Sequence, residues 1–404
     1  MNKEEIFSYL NELPLRYDRE AFDKFARKSK LRTPCPSVHV VGSNGKTATA
    51  SYLSAILAAG GHKTGLLTND IYFNPLGAIS FNNVSIGEQE FASLFEDSRK
   101  LYEKYGLSRW EILVDIALRF FKEKGAEIIV LESSLGGEMD ASFLEDDDMR
   151  LLVLTSVGLE HTEHLGTTIS QIALNKISGL SNEAPLLTCE LEEDTLNVVR
   201  DYARDVNSDV VIADAYHHQH LVQGRFHFDF GECKDMMIPS EAEFLVKDAC
   251  LAIQAASMLD KQFPVSKESV FNGLSSCILP GILERRGNIV FDNADNPDSV
   301  NALLRSFQTL SEGKPIQILF ASEKDKNIAV MLPTLGNGAE SITLTTYPGK
   351  NVRDEKGFFL YSGDYPFVAD PLVALNQIEK AHPEAAILIT GSKAFVGYMK
   401  EHIQ

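Results

Sequence analysis

Three scarcities bound this chain before any motif is read. It carries five cysteines in 404 residues (Cys35, Cys189, Cys233, Cys250 and Cys277), with no C-x-x-C pair among them. That spacing excludes a zinc ribbon or a disulfide framework and suits packed thiols in a reducing cytoplasm. No apolar run approaches ~18 residues, and Met1-Asn2-Lys3-Glu4-Glu5 lacks the apolar stretch of a signal peptide, so a cytoplasmic protein with no membrane partner is expected. Positive charge is also short. Lys+Arg total 38 against Asp+Glu 57, a net charge of −19. A nucleic-acid backbone is therefore an unfavourable partner, and an anionic substrate would need a local basic pocket against the overall field.

What is present centres on His39-Val40-Val41-Gly42-Ser43-Asn44-Gly45-Lys46-Thr47-Ala48-Thr49. A β-branched run reads as a buried strand, stops at a Gly/Ser/Asn turn, and gives way to apolar residues at helical spacing through Ala50, Leu53, Ile56 and Leu57. Strand, glycine loop and helix are the context of a phosphate loop. Gly42, Ser43, Asn44, Gly45 and Ala48 would offer backbone N–H groups to phosphates, Lys46 a point charge, and Thr47 a hydroxyl for Mg²⁺. The general pattern G-x-x-x-x-G-K-[ST] has a glycine where this chain has Val40.

The rest of the chain alternates strands and helices. Residues 1–37 form a charged amphipathic lead-in with Ile6, Tyr9 and Leu10 on one face. Strands are expected at 63–68, 127–132 and 151–155, with helical patterning over 88–124. That order implies a doubly wound parallel sheet whose ligands bind beyond the carboxyl ends of the strands, where Lys46, Thr68, Glu132 and His161 all fall. Residues 183–240 read as a peripheral β segment, and a helix is expected from about Ser240 to Leu259. A second α/β alternation runs from Asn288, with strands at 289–291, 316–320, 341–346 and 386–390. The expected organisation is an ATP-binding domain over 1–280 and a smaller, Rossmann-like α/β domain over 281–404.

Several stretches resemble the Mur ligases, and among them folylpolyglutamate synthase/dihydrofolate synthase, in order and register. Val40 to Thr47 resembles the family's ATP loop, which also lacks the first glycine. Residues 129–141, read I-V-L-E-S-S-L-G-G-E-M-D-A, resemble E-V-G-L-G-G-R-L-D-A. Residues 154–166 resemble T-S-I-G-x-D-H-T-x-x-L-G, and residues 172–179 resemble I-A-x-E-K-A-G. Leu279-Pro280-Gly281, Asp292 to Pro297 and Thr390-Gly391-Ser392 resemble P-G-R, D-x-A-H-N-P and T-G-S. The resemblance implies a Mur-ligase-like fold and an ATP-dependent amide ligase. ATP would phosphorylate a substrate carboxylate, and an amino acid's amine, glutamate if the acceptor is folate-like, would displace the phosphate. It implies Lys46 on the β/γ-phosphates, Glu132 with Thr47 on one Mg²⁺, and His161 on a second. Asn69 stands where the family has a serine used for magnesium. Lys176 matches a lysine that is carbamylated into a magnesium ligand, and Asp292, with Asn296 nearby, falls where the family grips the nucleotide from its second domain.

Four positions depart from that pattern. S-S-P-H becomes Thr68-Asn69-Asp70-Ile71, the arginine of L-G-G-R becomes Glu138, that of P-G-R becomes Ile282, and the histidine of D-x-A-H-N-P becomes Asp295. Losing cations and gaining anions near a polyphosphate should cost several kcal/mol, at roughly 1.5–3 per charge-assisted hydrogen bond, unless Arg285 or Arg286 substitutes. These changes also suit an alternative, a catalytically silent homologue serving a protein partner as a binding or regulatory subunit. The histidines at 217, 218, 220 and 227 read as a solvated strand rather than a metal site, and Glu145 to Asp148 as a solvated turn.

Overall fold

A computed structural model describes residues 3–13, 18–69, 75–159, 162–181, 183–311, 313–361 and 365–403. The chain forms two compact units, one of residues 1–220, 227–239 and 245–277, the other of 221–226, 240–244 and 278–404.

The first unit opens with helices α1 (Lys3–Glu12) and α2 (Arg19–Ser29), then strand β1 (Ser37–Val41) and helix α3 (Lys46–Ala59). Strands β2 (Thr64–Leu67), β3 (Ile79–Phe81) and β4 (Val84–Ser85) precede helices α4 (Glu88–Tyr105) and α5 (Arg109–Lys124). The 88–124 stretch is therefore two helices. Gly106 ends α4 in the left-handed conformation and the Ser108/Glu111 capping box starts α5. Next come β5 (Ile128–Glu132), β6 (Met149–Leu154), the short α6 (Thr162–Leu165), α7 (Ile169–Ile177), β7 (Leu186–Thr188), α8 (Glu193–Asp205) and β8 (Val210–Ile212).

These strands form one sheet in the order β4-β3-β2-β5-β1-β6-β7-β8, with β2, β5, β1, β6, β7 and β8 mutually parallel. The reading of 183–240 as a peripheral β segment is corrected here, because β7, α8 and β8 extend the main sheet. Their strands are only three residues long, too short to announce a period. The peripheral part is β9 (His217–Val222), β10 (Arg225–Phe230) and β11 (Cys233–Ile238), a three-stranded sheet of order β11-β10-β9. Helices α9 (Phe244–Leu259) and α10 (Lys267–Ser276) follow.

The central strands are buried on both faces, which is why they read as largely apolar runs, with Ser37 and His39 of β1 the polar exceptions. Ile6, Leu10, Phe22 and Phe25 of the lead-in join α4, α5 and β5 in one core cluster. The acidic run 145–148 is not a free turn. Glu145 and Asp146 pair with Arg27 and Arg32 at 2.7 and 3.1 Å, while the buried Asp147 accepts from Ser37 Oγ at 2.7 Å and pairs with His39, whose ring stacks on Phe143. Burial pushes the Asp147 carboxyl up, but His39 and Ser37 together carry it below its ordinary value.

The second unit carries β12 (Glu284–Arg286), β13 (Ile289–Phe291), α11 (Pro297–Leu310), β14 (Ile316–Phe320), α12 (Ile328–Gly336), β15 (Ser341–Leu344), α13 (Pro371–Ala381), β16 (Ala386–Thr390) and α14 (Lys393–His402). Its sheet runs β12-β13-β16-β14-β15, parallel except for β12. Among the described residues no helix is long and apolar enough to cross a membrane.

Candidate active site

Strand order reverses at β1, which has β5 on one side and β6 on the other. The loop 42–45 leaving β1 therefore opens at the crevice where a doubly wound sheet binds ligands. Gly45 caps α3 in the left-handed region at φ 85°, with no side-chain cap. The first-turn N–H groups of α3 have no intrahelical acceptor and present an anion site. Residues 155–158, just beyond β6, strap the loop down. Ser43 N donates to Ser156 O at 2.7 Å, Asn44 N to Ser156 Oγ at 3.0 Å, and Thr155 Oγ1 to Asn44 O at 2.8 Å. A Cβ on Gly42 would lie 1.9 Å from Thr155 Oγ1, so that approach requires glycine. The strap was legible only as part of a matched motif; nothing in its local spacing announces it.

Lys46 folds back so that Nζ donates to Gly42 O at 2.8 Å and Ser43 O at 2.9 Å. Beside it, Thr47 Oγ1 donates to Glu132 Oε1 at 3.0 Å, and Asn69 N donates to Glu132 Oε2 at 3.0 Å. Glu132, at the end of β5 and buried, is thereby held between the phosphate loop and the end of β2. The Asn69 amide nitrogen donates to Ser134 Oγ at 3.2 Å. Lys176, at the C-terminal end of α7, is 0% exposed; its Nζ donates to Gly42 O at 2.8 Å and Leu135 O at 3.5 Å.

The loop after β5 closes over Lys176. A Cβ on Gly137 would meet Asn175 O at 1.9 Å, and one on Gly136 would lie 3.3 Å from Lys176 Cα. Asp140 fixes this loop by accepting from Leu135 N, Ser142 N, Ser142 Oγ and Trp110 Nε1 at 2.8–3.0 Å. The structure thus gathers Lys46, Thr47, Asn69, Glu132 and Lys176 at one sheet edge. His161, and Asp70 beside Asn69, lie outside the described residues.

The oxygen donors of Thr47 and Glu132 suit a hard cation such as Mg²⁺. Among the described residues no group of three or more His, Cys, Asp and Glu is placed to hold a metal, the 217–227 histidines included. Those side chains sit on the outlying hairpin, with His218 and His227 paired to Asp229 and Asp235.

In the second unit the sequence candidates serve its own backbone. Asp292 is 3% exposed, and its two oxygens accept from Leu283 N at 3.1 Å and Ala294 N at 2.9 Å. Burial raises its carboxyl to about 7, against the pull of those two amides. Asn296 caps α11 by accepting from Ser299 N. Arg285 lies 3.5 Å from Glu241, and Arg286 donates to Lys400 O and Ile403 O while lying over the Phe291 ring. Both arginines are thus engaged within their own unit. The added charge of Asp295 is met by Lys326 Nζ at 2.7 Å.

The Mur ligase middle domain matches residues 40–256, more than half the chain. Folylpolyglutamate synthase from Lacticaseibacillus casei is 25% identical over 378 residues, covering 88% of this chain and 87% of that one. Dihydrofolate synthase/folylpolyglutamate synthase from Bacillus subtilis strain 168 is 26% identical over 388 residues, covering 91% and 90%. An FPGS–AMPPCP–folate complex superposes over the whole of both chains with a TM-score of 0.87 at 23% identity, a likeness of fold.

Proposed function

This chain belongs to the Mur ligase family, and on that premise we propose that it is an ATP-dependent amide ligase. The γ-phosphoryl group passes from ATP to a substrate carboxylate, and ADP leaves. The nitrogen of an amino acid then attacks the acyl carbon, loses a proton and expels phosphate. Relatives of 25–26% identity named folylpolyglutamate synthase support glutamate as the amine donor and a folate or folate-like acid as acceptor.

One observation carries the reading. Lys46, the α3 amides and the Thr47–Glu132 pair converge on one crevice. Loop 42–48 takes the phosphates, and Lys46 exchanges two neutral carbonyls for anionic oxygens. Phosphoryl transfer is mostly positioning and charge neutralisation, and this is the inventory it requires. Thr47 and Glu132, with Asn69, His161 and a carbamylated Lys176 by resemblance, would hold Mg²⁺. Bound there, the metal supplies charge neutralisation on the transferring phosphoryl group.

The test is phosphate release with ATP–Mg²⁺, a pteroate or folate acid, and glutamate. Release that requires all three, with a product one glutamate heavier, is the expected result. ATP binding without release for any carboxylate–amine pair would leave the catalytically silent alternative standing instead.

A further inference from the structure

The outlying hairpin of β9 and β10 brings face to face two histidines that a linear reading scatters along a solvated strand. Its turn is two residues long, Gln223 and Gly224, both at positive φ (50° and 75°). A two-residue turn of this kind sets Val222 opposite Arg225, and hence His220 opposite His227. Phe226, Phe228 and Phe230 of β10 are buried, so His227 stands on the outer face of the sheet with His220 beside it. The two rings are near-parallel, inclined by 24°, with centres 5.4 Å apart. Two imidazoles on one tetrahedral ion, at N–metal distances of about 2.0–2.1 Å, have ring centres roughly 5 Å apart.

Hydrogen bonds prepare one nitrogen of each ring. His220 Nδ1 donates to His218 O at 2.8 Å, and His227 Nδ1 donates to Asp235 Oδ1 at 2.8 Å. With Nδ1–H fixed by a carbonyl and a carboxylate, the lone pair is left on Nε2 in both rings. Among the described residues neither Nε2 has a hydrogen-bond partner. This is how outer partners orient a metal-ligating histidine. His218, the third imidazole at hand, is turned instead to Asp229 at 3.0 Å.

We propose that His220 and His227 form a surface site for a borderline divalent transition-metal ion such as Zn²⁺ or Ni²⁺, each giving Nε2, with water in the remaining positions. Imidazole favours such ions, whereas a hard cation such as Mg²⁺ prefers oxygen. Two protein ligands are fewer than a closed structural site has, so the ion exchanges readily. Its effect is on the hairpin. All six residues of β9 are exposed, and β9 is the edge of its sheet, paired there with β10. A bridge from His220 to His227 staples that edge strand in place. The site uses no residue of the candidate active site, so its test is independent of the ligase reading.

The experiment is Zn²⁺ titration calorimetry on the full chain without a histidine tag, in excess Mg²⁺. Wild type should bind one ion with micromolar affinity. His220→Gln and His227→Gln should each weaken binding roughly tenfold or more, and His217→Gln, whose ring takes no part, should stay within about twofold of wild type. No binding to wild type, or undiminished binding to either of the first two variants, overturns the proposal. So does a loss in His217→Gln as large as theirs, which would mean that the histidine run binds as a whole. Should a variant fail to fold, NMR of wild type decides. Zn²⁺ should shift the ring signals of His220 and His227 together, and a titration that leaves either in place also overturns the proposal.

Discussion

Two lysines sit beyond the carboxyl ends of parallel strands, one in each unit, and their partners differ in kind. Lys46 donates to the carbonyls of Gly42 and Ser43, neutral acceptors in its own loop. Lys326 is bound to a carboxylate, Asp295, at 2.7 Å, with Glu323 and Asp325 acting on it as well. Burial works against the Lys326 charge, yet Asp295 holds its pKa up. A cation resting on carbonyls keeps its full charge for an incoming phosphate, whereas one resting on a carboxylate is already neutralised. The contrast supports the anion binding proposed for the first unit and gives Lys326 internal cohesion in the second. The largest effect should follow from removing the available cation. Lys46→Ala should weaken ADP binding roughly 10²–10⁴-fold, two charge-assisted hydrogen bonds' worth, without changing the fold. Calorimetry beside circular dichroism checks it, and undiminished binding would break the comparison.

The comparison sharpens at Asp292, an acid close to Asp295 that, among the described residues, has no cation paired to it. Its carboxyl is raised to about 7 by burial, opposed by two backbone amides. An acid whose folded pKa exceeds its unfolded value binds protons better when folded, so its contribution is complete below about pH 4 and lost as pH rises to about 7. Wild type minus Asp292→Asn isolates this from every other group. The variant should be the less stable at pH 5, and the difference should move by about 2–3 kcal/mol in the variant's favour by pH 8, in urea melts at each pH. A pH-independent difference would mean the carboxyl stays ionised throughout.

Asp295→Asn tests the other half. Removing the carboxylate leaves Lys326 charged and about three-quarters buried, a loss of about 1–3 kcal/mol. The freed cation should then bind anions, so sulfate or phosphate should raise the variant's melting temperature more than that of wild type. Equal responses would mean Lys326 was available all along.

How much of this was legible in the sequence follows the same division. Lys46, Thr47 and Glu132 come just after or at the end of buried, largely apolar strands, and the roles proposed for them follow from strand–loop–helix context that survives in a linear reading. The place of Asp248 against Gly45 does not, because that residue reaches the loop from a helix some 200 residues away, and only the packing of α9 brings it there. Likewise the departure at Asp295 read as an uncompensated anion, because Lys326 lies 31 residues further along the chain. The place of β7 and β8 in the main sheet was missed for a simpler reason. Three residues cannot display an alternation, so their place in the main sheet is set by neighbours rather than by their own pattern.

The smallest predicted effect concerns two arginines of α2, and it separates partner charge from burial. Arg27 faces a full carboxylate, Glu145 at 2.7 Å, but both side chains are mostly exposed. Arg19 also faces a carboxylate, Asp23 at 2.8 Å, but it donates as well to the carbonyls of Asp140 and Phe143 at 2.7 and 2.8 Å and is only 20% exposed. If partner charge alone decided the energy, the two alanine substitutions would cost about the same. Solvent screens the exposed pair, and water readily replaces either partner. Arg19→Ala instead strips donors from two carbonyls of the loop that Asp140 organises around Lys176. Arg19→Ala should therefore cost about 1–3 kcal/mol in denaturant melts, while Arg27→Ala stays within the error of the measurement. The reverse order would mean that the acidic run 145–148, rather than the carbonyls behind it, anchors the lead-in to the site loop. The contrast between Lys46 and Lys326 would then have to be read from charge alone.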